Sequence, residues 1–503
     1  MSLPLTQINL RQRSLRLASL IADDLVSRQT SDGQFKQPDF YAKAFAVNLW
    51  TRLDRVRYAK SIERALTALK STKPDPSYHR EFIEYALLDT PDLSSDTIRA
   101  VLRNAPNQSP DVANWQLIGL INRQKRRSDI LAKMFNRAHF AFILHRYWRK
   151  PLFLDRPGSF SAQYHAFCAA LLSQSDNDRH QRIAGQSAKM IAKFTGSHGF
   201  TNLLGRGAGQ NFGTACAVYA LMKYGDLDEA DAALYRLEDG LLKAGQLPLN
   251  LLAPTPLPDK PGPENPQTPG WYSYNRHDDY LAFAGHWLLK SSLLQDVYSH
   301  SDPCPKSVSS PFIVQYSSEY FHAQMTLTGK QGFDVSGAPV IVSGHGSLAQ
   351  VLLPPTGGEQ DVPSLYGPDA HPLPAFGDQV FGQLLGAKRT SQNTIDLTFG
   401  LAGGIGHRRI EFGDRCVIIR DAFPQKDIRN LHLLRILIDD KVDLVQTDHN
   451  TLSCHALGLR ITADAPLQIA PQVTYGAAGP ATRISVVERP SATLTLCWSD
   501  GDA

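Results

Sequence analysis

The chain has 503 residues, 42% of them hydrophobic and 20% charged, and a net charge of +4. This composition excludes disordered and fibrous classes, and the length exceeds what one hydrophobic core serves, so two or three domains are expected. The weak positive charge, with only a short KRR run at 125–127, argues against nucleic acid as a partner, which needs a concentrated basic surface. Six cysteines are widely spaced with no CxxC pair, which argues against a zinc ribbon. Cys168 and Cys216 fall in apolar helical runs and read as buried thiols, while disulfides stay open for the later ones. The N-terminus carries charges every few residues and is no secretory signal as it stands. No run of about eighteen apolar residues occurs, so no membrane span is expected. The chain as numbered reads as cytoplasmic, or as periplasmic or secreted if a leader has been removed.

From residue 13 to about 294 apolar residues recur at three and four spacing, as in LRLASLIADDLV, AKAFAVNLWTRL, NWQLIGLINRQ and NFGTACAVYALMKYG. That pattern predicts roughly a dozen helices joined by loops rich in Pro, Gly, Ser and Asp. So many short helices suit a toroid or stacked hairpins better than a small bundle, and the loops at one end then collect around a common opening. The stretch 247–269 is too proline-rich for helix or strand and is expected to be a long loop. Near Tyr298 the pattern changes. A linker over 298–311 leads into alternating, β-branched runs such as FIVQYSS, TIDLTFG, HRRIEFG, RCVIIRDAF and TLSCHALGLRITA. Turn signals every eight to twelve residues predict an antiparallel β-sandwich over 312–503.

Two stretches concentrate polar chemistry ahead of a helical run. The first, GSHGFTNLLGRGAGQNFG at 196–213, holds Arg206 and Asn211 among six glycines. The second, GWYSYNRHDDYLAFAGHWLL at 270–289, holds Trp271, Tyr274, Arg276, His277 and Tyr280. Tyr78 and His79 precede one further helix, Gln163, Tyr164 and His165 open another, and Asn114 sits beside Trp115, a side chain able to serve as a sugar platform or as core. Taken singly, these are residues that cap helices and fill cores. Taken together they put Tyr, His, Asn, Gln and Arg at the starts of several helices, which an apolar toroid does not require. The glycine-rich run at 205–209 lacks the context of a phosphate loop, since no strand precedes it and no GK[ST] follows. No HExxH, no GxSxG and no His/Cys/Asp cluster at metal spacing occurs, so neither metal nor cofactor is expected.

These motifs resemble those of polysaccharide lyases built from an incomplete α/α toroid followed by an antiparallel β-sandwich, the broad group that includes heparinase-like, chondroitin-type and alginate or glucuronan lyases. The resemblance is carried by Gln163-Tyr164-His165, by Gly205-Arg206-Gly207 with Asn211, by Tyr274-Asn275-Arg276-His277 with Tyr280, and by the strand run GIGHRRIEFGDRCVIIRDAF. It implies a catalytic toroid over 1–297 and β-elimination on a uronate-containing glycan. Asn211 would neutralise the carboxylate with Arg206 or Arg276 assisting, His277 or His165 would be the base, and Tyr274 or Tyr280 the acid or a combined acid and base. Gln163, Tyr164, Trp115, Tyr78, His79, Trp271 and, from the sandwich, His322 would bind substrate. The implied partner is an acidic polysaccharide or oligosaccharide, and oligomerisation stays open. Two rival readings stand beside it. A glycoside hydrolase would need two facing carboxylates, available among Asp278, Asp279, Glu81, Glu238 and Asp155. A noncatalytic glycan-binding protein would use the aromatics alone.

Overall fold

The periodic segments form twelve helices among the described residues: α1 (Leu5–Arg28), α2 (Ala42–Asp54), α3 (Ala59–Ser71), α4 (Arg80–Leu88), α5 (Ser95–Leu102), α6 (Ala113–Arg126), α7 (Ile130–Tyr147), α8 (Ala162–Leu172), α9 (Asp178–Thr195), α10 (Asn211–Tyr224), α11 (Leu227–Ala244) and α12 (His277–Ser292). The structure is a computed structural model and describes residues 5–36, 39–71, 79–103, 110–253, 276–295, 307–310, 312–327, 337–356, 371–377, 379–471, 474–476 and 478–499. Local chemistry sets many of the helix ends. Ser94, Asp129, Ser161 and Asn177 accept backbone N–H groups at the starts of α5, α7, α8 and α9, and left-handed Gly225 and Gly245 end α10 and α11.

Sequence also decides which helices lie inside. Every residue of α8 is buried, and so is all of α10 except Lys223, as expected of helices that are apolar nearly all round; all of α12 except Lys290 is buried as well, although it opens on His277, Asp278 and Asp279. Helices such as α3, α9 and α11 bury one stripe only. The even-numbered helices pack in the order α2, α4, α6, α8, α10, α12, and α12 packs back on α2. The inner helices thus pack in a ring, as the toroid expected from the sequence requires. Its seam carries a particular device: α2 has Tyr41 at its cap position with no side-chain cap, and the Asp279 carboxylate of α12 instead accepts the N–H groups of Phe40, Tyr41 (2.8 Å) and Ala42 (2.7 Å).

Because outer and inner helices alternate in direction, all six inner helices start at the same end. At the opposite end Asp89, following α4, meets Arg52 of α2 (3.3 Å), Lys125 of α6 (3.1 Å) and Lys290 of α12 (3.0 Å). Burial works to raise the Asp89 carboxyl, yet the surrounding Lys290, Lys125 and Arg52 hold it well below the usual carboxylate range. The same cations complement the negative ends of the helix dipoles. That end is closed by charge, which leaves the helix-start end for a ligand.

The C-terminal region holds three antiparallel sheets among the described residues. One has five strands, in which Ser307–Ser309, inside the stretch read as linker, pairs with Ile313–Ser317. The eight-stranded sheet runs Gln383–Arg389, Thr394–Leu401, Gly404–Phe412, Cys416–Ala422, Ser491–Trp498, Leu459–Ala463, Thr451–Cys454 and Val445–Asp448, and the third is built around Leu431–Asp439 and Gly479–Val487. Alternation is clean in Thr394–Leu401, where every second residue is buried. The run TLSCHALGLRITA makes two strands because a 3-10 turn at His455–Leu457, ended by Gly458 at φ +57°, folds it back on itself. Cys416 and Cys497, facing each other on adjacent strands, form a disulfide, and Cys168, Cys216 and Cys454 are buried thiols.

Toroid and sheets share an apolar seam in which Leu152, Phe160, Phe194 and Leu203 pack with Ile313, Val342, Leu437 and Ala481. The last carbonyls of α9, on Lys193 and Phe194, accept from Gln315 and Gln324 of the five-stranded sheet, so helix-end groups that would otherwise be orphaned bind the two regions together. The sheets thus sit against the loops that lead into α8 and α10, at the helix-start end.

Candidate functional site at the helix-start end

Six helix N-termini converge here, and their dipoles make this end favourable to anions. The first residues of α10 and α12 are Asn211 and His277. They are tied to consecutive carbonyls of the segment between them. Asn211 Nδ2 donates to Pro248 O (2.8 Å), and His277 Nε2 donates to Leu247 O (2.9 Å). The amide orientation is fixed, since a flipped Asn211 would set its oxygen against that carbonyl. Asn211 Oδ1 and His277 Nδ1 are buried and have no hydrogen-bond partner among the described residues. Burial, followed by the charge of Arg28, lowers the His277 pKa to about 4, with the Leu247 bond opposing. The ring is therefore neutral, with its lone pair on Nδ1.

Beside them runs a half-buried strip. The Arg276 guanidinium lies 5.6 Å from the Phe40 ring centroid, Phe40 is 4.5 Å from His79, and His79 is 4.9 Å from Trp115. These come from the starts of α12, α2, α4 and α6. Arg276 Nε is buried without a partner among the described residues. Tyr280, one turn into α12, rests its ring 4.6 Å from Phe212 of α10. The structure thus brings Asn211, Arg276, His277, Tyr280, His79 and Trp115 to one end of the ring.

The remaining candidates sit differently. Arg206 makes a buried two-pronged pair with Asp155 (2.9 and 2.7 Å) and lies 4.1 Å over the Tyr164 ring, so its charge is met by a protein carboxylate. Gln163 is wholly buried and donates to Gln210 (2.8 Å). His165 has both nitrogens engaged, Nδ1 accepting from Phe153 N–H (3.0 Å) and Nε2 donating to Ser187 O (3.2 Å), and burial lowers it to about 4. His322 lies in the seam between sheets and toroid, bonded to Ser317 and Gln324 with its ring 4.4 Å from His198. Tyr78, Trp271 and Tyr274 lie outside the described residues.

The carboxylates a hydrolase would need are largely committed. Asp278 pairs with Arg28 (3.1 Å), Asp279 caps α2, Asp155 holds Arg206, and Glu238 pairs with Arg13 (2.7 Å) on the outer helices. Glu81 lies in the first turn of α4. Sequence reading passed over Phe40, and it passed over Gln210, whose buried Nε2 lacks a partner among the described residues. Gln210 directly precedes Asn211 in a stretch already singled out, whereas Phe40 carries no signal beyond being an aromatic before a helix.

The glycines of the first stretch serve close packing. Gly205 has φ +75°, and a Cβ there would stand 2.1 Å from the Phe160 carbonyl oxygen. Gly205→Ala is expected to lose about 1–2 kcal/mol to the left-handed backbone and about 1–3 kcal/mol more to overlap. A thermal melt reads the loss, and an unchanged melting temperature would contradict the packing described.

No family model matches the chain, and no curated protein matches it in sequence. Among solved structures it is similar to a mutant chondroitin AC lyase of Streptomyces coelicolor A3, with 9% identity over 97% of this chain and 79% of that one and a TM-score of 0.46. It is likewise similar to the same organism's chondroitin AC lyase in complex with chondroitin sulphate, with 9% identity, the same coverage and a TM-score of 0.45.

Proposed function

We propose that the chain is a polysaccharide lyase that cleaves a uronate-containing glycan by β-elimination at the helix-start end of the toroid. The observation that carries this reading is the pairing of His277 and Asn211: a neutral imidazole whose Nδ1 lone pair has no partner among the described residues, anchored one carbonyl away from an amide. A sugar ring stacks on the Trp115–His79–Phe40 strip, and Arg276 with the second N–H of Asn211 meets the uronate carboxylate. Charge that develops on that carboxylate as the neighbouring C–H bond breaks is then met by donors already in place. His277 Nδ1 takes the C5 proton, the C–H electrons form the C4–C5 double bond, and the C4–O4 bond breaks. A tyrosine returns a proton to O4; Tyr280 and Tyr274 are the two candidates. Arg206, held by Asp155, positions Tyr164. Asn211 and His277 are buried, so binding has to expose them.

The test is direct: incubation with uronate polymers of several kinds, followed by ultraviolet absorbance of the conjugated product. One responding polymer supports the reading, and reducing ends appearing without that absorbance would replace it with hydrolysis. The environment of His277 fixes the pH dependence as well. A base with a pKa of about 4 is unprotonated from about pH 5 upward, and activity falls only as pH drops through that value. The acid limb of kcat/KM is expected near 4; a limb near the ordinary histidine value would assign the proton transfer to another group.

A further inference from the structure

The outer helix α7 departs from the pattern of its neighbours. Its first two turns project Ile130, Leu131, Met134 and Phe135 into solvent with 60–75% of each exposed, and Phe142 continues the row. Single exposed apolar residues are ordinary, but four large ones standing together on one helix end mark a contact surface. The charge around them is mainly positive. No acidic residue occurs anywhere in α7, and a cavity of about 640 Å³ beside its first turns is lined by Arg127, Lys133, Arg137 and Arg179 together with Gln124 and Asn136. None of the described residues lining that cavity is a carboxylate. Asp129, at the cap of α7, is bonded to Arg127 (3.0 Å), and the Arg179 guanidinium leans on Phe140 (5.8 Å), while Lys133 and Arg137 are exposed.

We propose that this end of α7 docks the protein on an anionic lipid surface, with the four apolar side chains entering the acyl boundary and the basic cavity receiving lipid phosphate. Apolar side chains on one helix face with cations at their margin are the composition that binds such surfaces. A second copy of the chain fits less well, because pairing α7 with itself would bring Lys133 and Arg137 against cations of their own kind. An acidic partner helix would match the charge, but it would call for a groove, and these side chains stand proud of the surface. Residues 130–135 lie at the end of the toroid closed by the Asp89 cluster, so docking leaves the helix-start end facing solvent and a soluble polymer.

The experiment is co-sedimentation of the full chain with phosphatidylcholine vesicles, with and without added phosphatidylglycerol, across a salt series. Binding is expected only where phosphatidylglycerol is present and should weaken as salt rises. The surface variants Leu131→Glu with Phe135→Glu, and separately Lys133→Glu with Arg137→Glu, are expected to lower it at least about tenfold with an unchanged thermal melt. Equal binding to both vesicle types would overturn the proposal, as would binding that survives both pairs of substitutions. So would a failure to bind either vesicle, whether it comes with a thermal shift in inorganic phosphate (a free-anion pocket) or with a dimer that Leu131→Glu dissolves.

Discussion

His277→Gln is expected to lower turnover on a uronate polymer about 100-fold or more, equivalent to about 2.7 kcal/mol of barrier. Glutamine can still donate to Leu247 O, as His277 Nε2 does at 2.9 Å, so the fold is kept while the lone pair at Nδ1 is lost. His277→Ala removes both and is expected to cost stability as well. Asn211→Ala is expected to match the loss in turnover, because the amide is then absent where carboxylate charge develops. Asn211→Asp should be worse still, since it sets a second negative charge against the uronate and gives up the bond to Pro248 O. Steady-state rates with the melting temperature of each variant separate catalytic loss from unfolding. Wild-type turnover in His277→Gln would remove this residue from the chemistry.

The second large effect concerns stability. Arg408 and Asp421 face each other on adjacent strands, both fully buried, with two bonds between them at 2.6 and 2.7 Å. Arg408 also donates to the carbonyls of Gly337 and Pro372 (2.6 Å each), and Asp421 accepts Leu434 N–H (2.6 Å) at a bulge where Leu434 takes φ +52°. Asp421→Ala leaves a buried guanidinium and a buried N–H unmet, and removing one partner of such a pair costs about 3–5 kcal/mol. A lowered urea midpoint for the sheet region checks this. Replacing both residues by apolar ones of similar size should not restore full stability, because two carbonyls stay orphaned. A shift close to zero in Asp421→Ala would show that water or local rearrangement serves the pair's role.

The helices were legible because burial imposes a period on the chain, but which of them lie inside was not: α12 is buried although it carries His277, Asp278, Asp279 and His286. Strands such as Thr394–Leu401 were legible for the same reason at period two. What could not be read was whatever depends on a distant partner. Arg206 looks like a free cation until Asp155, 51 residues earlier, is seen to hold it. Asp279 looks like a candidate acid until it is found capping a helix 237 residues earlier. That contact helps join α12 to α2, together with the bond between His286 and Asn48, and sequence spacing carries no trace of either. The edge strand Gln383–Arg389 escaped notice because only Leu384 of its seven residues is buried, so no alternation marks it. The helix-start cluster was legible in part: sequence marked polar residues at several helix starts, and the common direction of the inner helices turned that pattern into one place.

The most direct test of the central claim is cleavage of an acidic glycan in heavy-oxygen water, with the products weighed by mass spectrometry. β-Elimination breaks the C4–O4 bond without adding water, so the two product masses sum to that of the substrate once oxygen exchange at the reducing end, read from unlabelled product incubated alone, is subtracted. Hydrolysis places one labelled oxygen in the products and adds one water to that sum. Products with an unsaturated end and no added water are expected; products whose masses sum to that of the substrate plus one labelled water would overturn β-elimination.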